Sequence, residues 1–161
     1  MCRFEAKAGF PRAIGAIDGS YIPIKAPLED AQSYMNRKGF HSLHLQASCD
    51  DRLCFIHCNA GEAGSLHDAR VFRRSDFARD VNPSMFPQHS HILGDAACPI
   101  KNYLLTPFKN NGRLSTKQLR YNTKHSKTRV VIQRAFGLLK YKAFKDACGY
   151  TKGIRFTEVP V

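Results

Sequence analysis

Hydrophobic and polar positions along the chain fall into several strand-like segments followed by one long helical one. Ala13-Ile14-Gly15-Ala16-Ile17-Asp18 is a small-residue apolar run that continues through Ser20-Tyr21-Ile22-Pro23-Ile24, a pattern that suits a strand with a carboxylate at its middle or its bend. From Ser42 to Cys49, Leu43, Leu45 and Ala47 alternate with His44, Gln46 and Ser48; Leu53 to Asn59 follows after Asp50-Asp51-Arg52, and the pair predicts a hairpin. Ser65-Leu66-His67-Asp68 opens a helical segment whose apolar positions are Val71, Phe72 and Phe77, with Ser65 as N-cap and Asp68 in the first turn. His91-Ile92-Leu93-Gly94-Asp95 reads as a short buried strand ending in an acid, and Asn82 to Ser90 and Pro99 to Gly112 read as loops. From Ser115 onward no proline interrupts the pattern for about thirty residues, and Val131, Ile132, Ala135, Phe136, Leu138 and Leu139 recur at helical spacing, which predicts a long basic amphipathic helix.

A chain of 161 residues with 43% hydrophobic content is long enough to bury the core of one domain, expected over residues 1–161. No apolar run approaches the roughly 20 residues needed to span a bilayer, so a membrane role is not expected. The six cysteines are scattered, which favours reduced thiols over a disulfide scaffold. Charge changes the picture more. There are 25 Lys and Arg against 13 Asp and Glu, a net charge of +12. Between Val81 and Lys145 the only carboxylate is Asp95, so the C-terminal half presents a cationic surface. Such a surface suits a polyanion, held through its phosphates by counterion release.

The few acids then become informative. Asp18 sits within an apolar run and would cost several kcal/mol if buried without a partner; a metal ion, an arginine or backbone donors would offset that, whereas Asp18-Gly19 read locally is a hairpin turn signal. Asp95 ends a strand, where ligand sites form in α/β sheets, or else caps the next segment. Asp68 is explained locally by the helix macrodipole. Three separate local explanations are less economical than one shared cause.

The string from Gly9 to Ile22, GFPRAIGAIDGSYI, resembles the opening of the catalytic domain in the PIF/Harbinger transposase-derived nuclease family. Tyr34 to Ser42, Gly64 to Phe72, Leu93 to Pro99, Leu104 to Phe108, and Tyr121-Asn122 through Lys140 resemble further blocks in the family's order, so the likeness runs from about residue 4 to 142. It leaves 143–161 as a divergent tail, and no helix-turn-helix pattern precedes the first block, which fits a fragment or a degenerate copy. The resemblance implies a ribonuclease H-like fold, a mixed β-sheet flanked by helices, and metal-dependent cleavage of DNA phosphodiesters. It implies that Asp18 and Asp95 are the first two acids of the catalytic set and that Asp68 assists metal binding. The expected ion is hard and divalent, magnesium or manganese, because such ions take oxygen ligands.

One position departs from that pattern. The final family Glu, on the last helix, is replaced by Gln133, whose amide oxygen can reach a metal but carries no charge. The next carboxylate after Asp95 is Asp146, about 20 Å beyond Gln133 along a continuous helix, and Glu62 is the remaining spare acid. The expected site is therefore Asp18, Asp68, Asp95 and Gln133, with Arg37, Lys38, Lys124, Lys127, Arg129, Arg134 and Lys140 on DNA and with catalysis weakened or lost. A non-catalytic DNA- or partner-binding remnant is the alternative. A separate DNA-binding partner protein and a location in the nucleus, or also the cytoplasm, are further expectations from the resemblance. Cys54, His57 and Cys58 lack a second ligand pair at zinc spacing, and His41, His44 and Cys49 read as ordinary strand residues.

Overall fold

A computed structural model describes residues 3–86 and 90–147. A short helix α1 (Arg3–Ala8) leads into β1 (Ala13–Pro23), then the hairpin β2 (Ser42–Cys49) and β3 (Phe55–Ala63). Two short helices, α2 (Asp68–Arg74) and α3 (Asp76–Asp80), precede β4 (His91–Leu93), β5 (Leu104–Leu105) and the 32-residue helix α4 (Thr116–Ala147). The sheet order is β3-β2-β1-β4-β5. β1, β2 and β3 pair antiparallel, whereas β4 joins β1, and β5 joins β4, in parallel. This mixed sheet flanked by helices agrees with the ribonuclease H-like arrangement.

Residue alternation divides the two faces. Ala16, Leu45, Ala47 and Cys49 pack with Ile132, Ala135 and Phe136 of α4, while Ile17 and Ile92 pack with Phe72 and Phe77 of α2 and α3 on the other side. Because helices cover both faces, β2 buries its polar residues as well: His44, Gln46 and Ser48 are enclosed like Leu45 and Ala47. β3, at the sheet's edge, keeps a half-exposed pattern. The start of α4 is set by a capping box in which Gln118 N–H donates to Ser115 Oγ (3.3 Å) and Ser115 N–H donates to Gln118 Oε1 (2.8 Å).

Several local expectations are corrected by this packing. Asp18-Gly19 is no turn, since Asp18 pairs with Ala47 and Gly19 with Gln46 in mid-strand. The segment after Ser65 is two helices rather than one: His67 occupies the N-cap of α2 without a side-chain bond, and Ser75 ends α2 and caps α3 by accepting from Ala78 N–H. Leu138 is exposed and lies off the buried stripe of α4. Residues 99–112 contain β5, a strand of two residues, too short to show a period in the sequence.

Candidate metal and nucleic-acid site

β4 accompanies β1 only as far as Ala16, which pairs with Leu93. Beyond it the sheet parts on that side, and groups from both faces reach one cleft of about 360 Å³. Asp18 from β1, Asp95 just past β4 and Asp68 from the first turn of α2 all line it, together with Arg37, Lys38, Arg129 and Lys140. Parallel pairing of β1 with β4 is what brings two acids 77 positions apart to the same end of the sheet.

Asp18 is held from two directions. Arg129 Nη1 donates to its Oδ2 at 2.6 Å and Gly19 N–H donates to Oδ1 at 2.9 Å, with both charged side chains only 19% exposed. Burial nonetheless pushes the Asp18 carboxyl above its usual range; Arg129 and the Gly19 amide pull it down, and the nearby charge of Asp95 pushes it up. Asp18 and Asp95 bring carboxylate oxygens to one cleft, the donor type that a hard cation takes.

Asp68 has a different partner. His44 Nε2 lies 3.1 Å from its Oδ1, with the imidazole 1% exposed. The hydrogen bond from His44 holds the Asp68 carboxyl below the usual range against the opposing effect of burial. Gly19 makes this pair possible, because a Cβ there would collide with His44 Nε2 and stand 3.0 Å from Asp68 Oδ1. His44, read from the sequence as an ordinary strand residue, is therefore part of the site; its signal was a titratable group on the polar side of an inner strand. Among the described residues no group of three or more His, Cys, Asp or Glu is disposed to hold one metal ion. Glu62, the spare acid, pairs instead with Arg74 at 3.2 Å.

The cationic rim is built locally. Buried Asn36 donates to Ser42 Oγ (2.7 Å) and accepts from Lys38 N–H (2.8 Å), closing a tight turn that carries Arg37 and Lys38 to the cleft. From α4 come Arg129 and Lys140, eleven residues or about three turns apart on one face. Gln133 lies on this same face, one turn after Arg129, but it is exposed and does not line the cleft. Lys127 and Arg134 point elsewhere: about 140–160° around the helix from Arg129, they line a separate hollow with Phe4 and Leu53. Exposed Lys124 shares that far side. The seven expected DNA-binding residues thus divide between two surfaces.

A family model described as DDE superfamily endonuclease matches residues 17–156. The protein named "Putative nuclease HARBI1" in Mus musculus is 37% identical over 136 residues, covering 84% of this chain and 38% of the relative. The chain belongs to the Harbinger transposase-derived DDE endonucleases. Its relative of the same name in Homo sapiens is 34% identical over 136 residues, again 84% of this chain and 38% of the other. "Protein ALP1-like" of Arabidopsis thaliana is 29% identical over 152 residues, or 86% of this chain and 37% of that protein. No solved structure matches the chain significantly. This Harbinger-type domain spans under two-fifths of the length of the relatives it matches. DDE superfamily endonucleases generally use divalent metals, and the acids in the cleft are of the chemical type such metals take.

Proposed function

We propose that this domain binds a divalent cation, magnesium or manganese, and engages DNA at the Asp18–Asp95 cleft as an endonuclease whose cutting is attenuated by Gln133. The observation that carries the reading is the meeting of Asp18 and Asp95, from separate elements, in a cleft rimmed by Arg37, Lys38, Arg129 and Lys140. Carboxylate oxygens of Asp18 and Asp95 would hold the ion, with Asp68 supporting from the opposite side through its bond to His44. When bound, the ion supplies charge neutralisation at the phosphodiester to be cut. Arg37, Lys38 and Lys140 hold flanking phosphates without reading sequence, so site choice falls to a partner protein that binds DNA specifically. A DNA substrate is the ground on which we propose a location in the nucleus, or also the cytoplasm.

Gln133 bears on the rate. It stands one helical turn beyond Arg129, exposed and outside the cleft's lining, and offers no charge to a second ion. Nicking of supercoiled plasmid with manganese or magnesium tests this directly. Gln133→Glu is expected to cut faster than the natural chain by roughly tenfold or more, equivalent to about 1.4 kcal/mol of transition-state stabilisation. Absence of cutting by both, with salt-sensitive DNA binding that survives Asp18→Ala, would transfer the assignment to a non-catalytic DNA-binding domain. Failure of both proteins to bind DNA at low salt would defeat either reading.

A further inference from the structure

Beside the acidic cleft runs a second, more apolar groove of about 780 Å³. It begins one residue past each of two site acids, at Ala69 and Ala96, and is walled by Cys98, Ile100, Phe108 and Tyr121. No carboxylate lines it, whereas Arg73 and Lys109 do. Ile100 is 69% and Phe108 45% exposed, an unusual display for large apolar side chains standing together.

The display is rigidly supported. Asn122 of α4 grips the backbone of Phe108 twice, accepting from its N–H at 2.9 Å and donating to its carbonyl at 2.9 Å. Tyr121 O–H donates to the Thr106 carbonyl at 3.2 Å, and His125 Nε2 lies 3.1 Å from the Leu105 carbonyl. The Tyr121 ring meets Phe108 edge-on, with centroids 5.2 Å apart. Residues 105–108 are thereby fastened to the helix that also supplies Arg129, while Phe108 stays half-exposed. A side chain wanted only for packing would turn inward; an anchored, half-exposed ring bordered by cations fits a planar ligand on a polyanionic backbone.

We infer that this groove is a stacking subsite for an unpaired base, with Phe108 as its platform, adjoining the strand whose phosphate lies at Asp18 and Asp95. The inference rests on the reading of the cleft as a DNA site and adds to it a preference for DNA that is locally unpaired. Charge and position choose this occupant: Ala69 and Ala96 in the groove directly follow Asp68 and Asp95 in the acidic cleft, and Arg73 and Lys109 in its lining suit the phosphates that flank a stacked base.

Binding is compared for a fully paired duplex and the same duplex carrying a short mismatched bubble with 2-aminopurine inside it. The natural chain is expected to bind the bubble more tightly and quench the 2-aminopurine fluorescence. Phe108→Leu, which keeps apolar volume but removes the π face, is expected to weaken bubble binding by roughly 5- to 150-fold and leave duplex affinity unchanged. Phe108→Tyr is expected to retain both, and matched melting temperatures establish that the variants are folded. Equal affinity of the natural chain for bubble and duplex, or a bubble preference untouched by Phe108→Leu, would overturn the subsite while leaving the cleft assignment in place. Loss of all DNA binding in the natural chain would overturn both.

Discussion

Asp18 and Asp68 line the same cleft but respond to it in opposite ways. Burial raises the Asp18 carboxyl, so its ionised form costs stability, a cost present above the raised value and absent below the ordinary 3.8. Asp18→Asn removes that cost but leaves Arg129 without its partner, and is expected to abolish any rise in Tm on adding manganese; thermal melts with and without the ion check it. Asp68 runs the other way. Its depressed carboxyl contributes stability that is fully present above 3.8 and is lost as pH falls through the lower folded value. Asp68→Asn should flatten the acid limb of Tm against pH. Gly19→Ala, by driving a methyl into His44 and Asp68, is expected to cost about 1–3 kcal/mol in urea unfolding.

Helix α4 sets the geometry at the next scale, because its phase decides which cations face the cleft. Gly137 lies in its interior with open space around the missing Cβ. Gly137→Ala should therefore stabilise the fold by about 0.5–1 kcal/mol without affecting DNA binding. Much of the architecture was legible in the sequence where periods were long: the β2–β3 hairpin, and α4 from Ser115 onward. The two-residue β5 had no period to read, and α1, only six residues long, left as little trace. Asp18-Gly19 carried a turn signal that pairing on β1 overrode. Asp18, Asp68 and Asp95 were found in the sequence through the family resemblance, whereas the Arg129–Asp18 pair and the His44–Asp68 bond depend on long-range register. Helical spacing alone would have set Lys127 and Arg134 apart from Arg129, had the basic residues been sorted by phase rather than by charge.

Across the whole molecule, a net charge of +12 gives a general attraction for phosphates, but only part of it surrounds the acids. Replacing Arg37, Lys38 and Lys140 together by Ala should lower the slope of log affinity against log salt by about three for DNA seated in the cleft. The same change at Lys124, Lys127 and Arg134, on the far side of α4, should leave metal-dependent nicking unaltered. Both expectations follow from the proposal that Asp18 and Asp95 hold a cation in a cleft rimmed by positive charge. Calorimetric titration of manganese into the natural chain and into Asp95→Asn tests that pairing most directly. Saturable binding to the natural chain that weakens by at least about tenfold in Asp95→Asn is the predicted result; superimposable isotherms for the two proteins would contradict it.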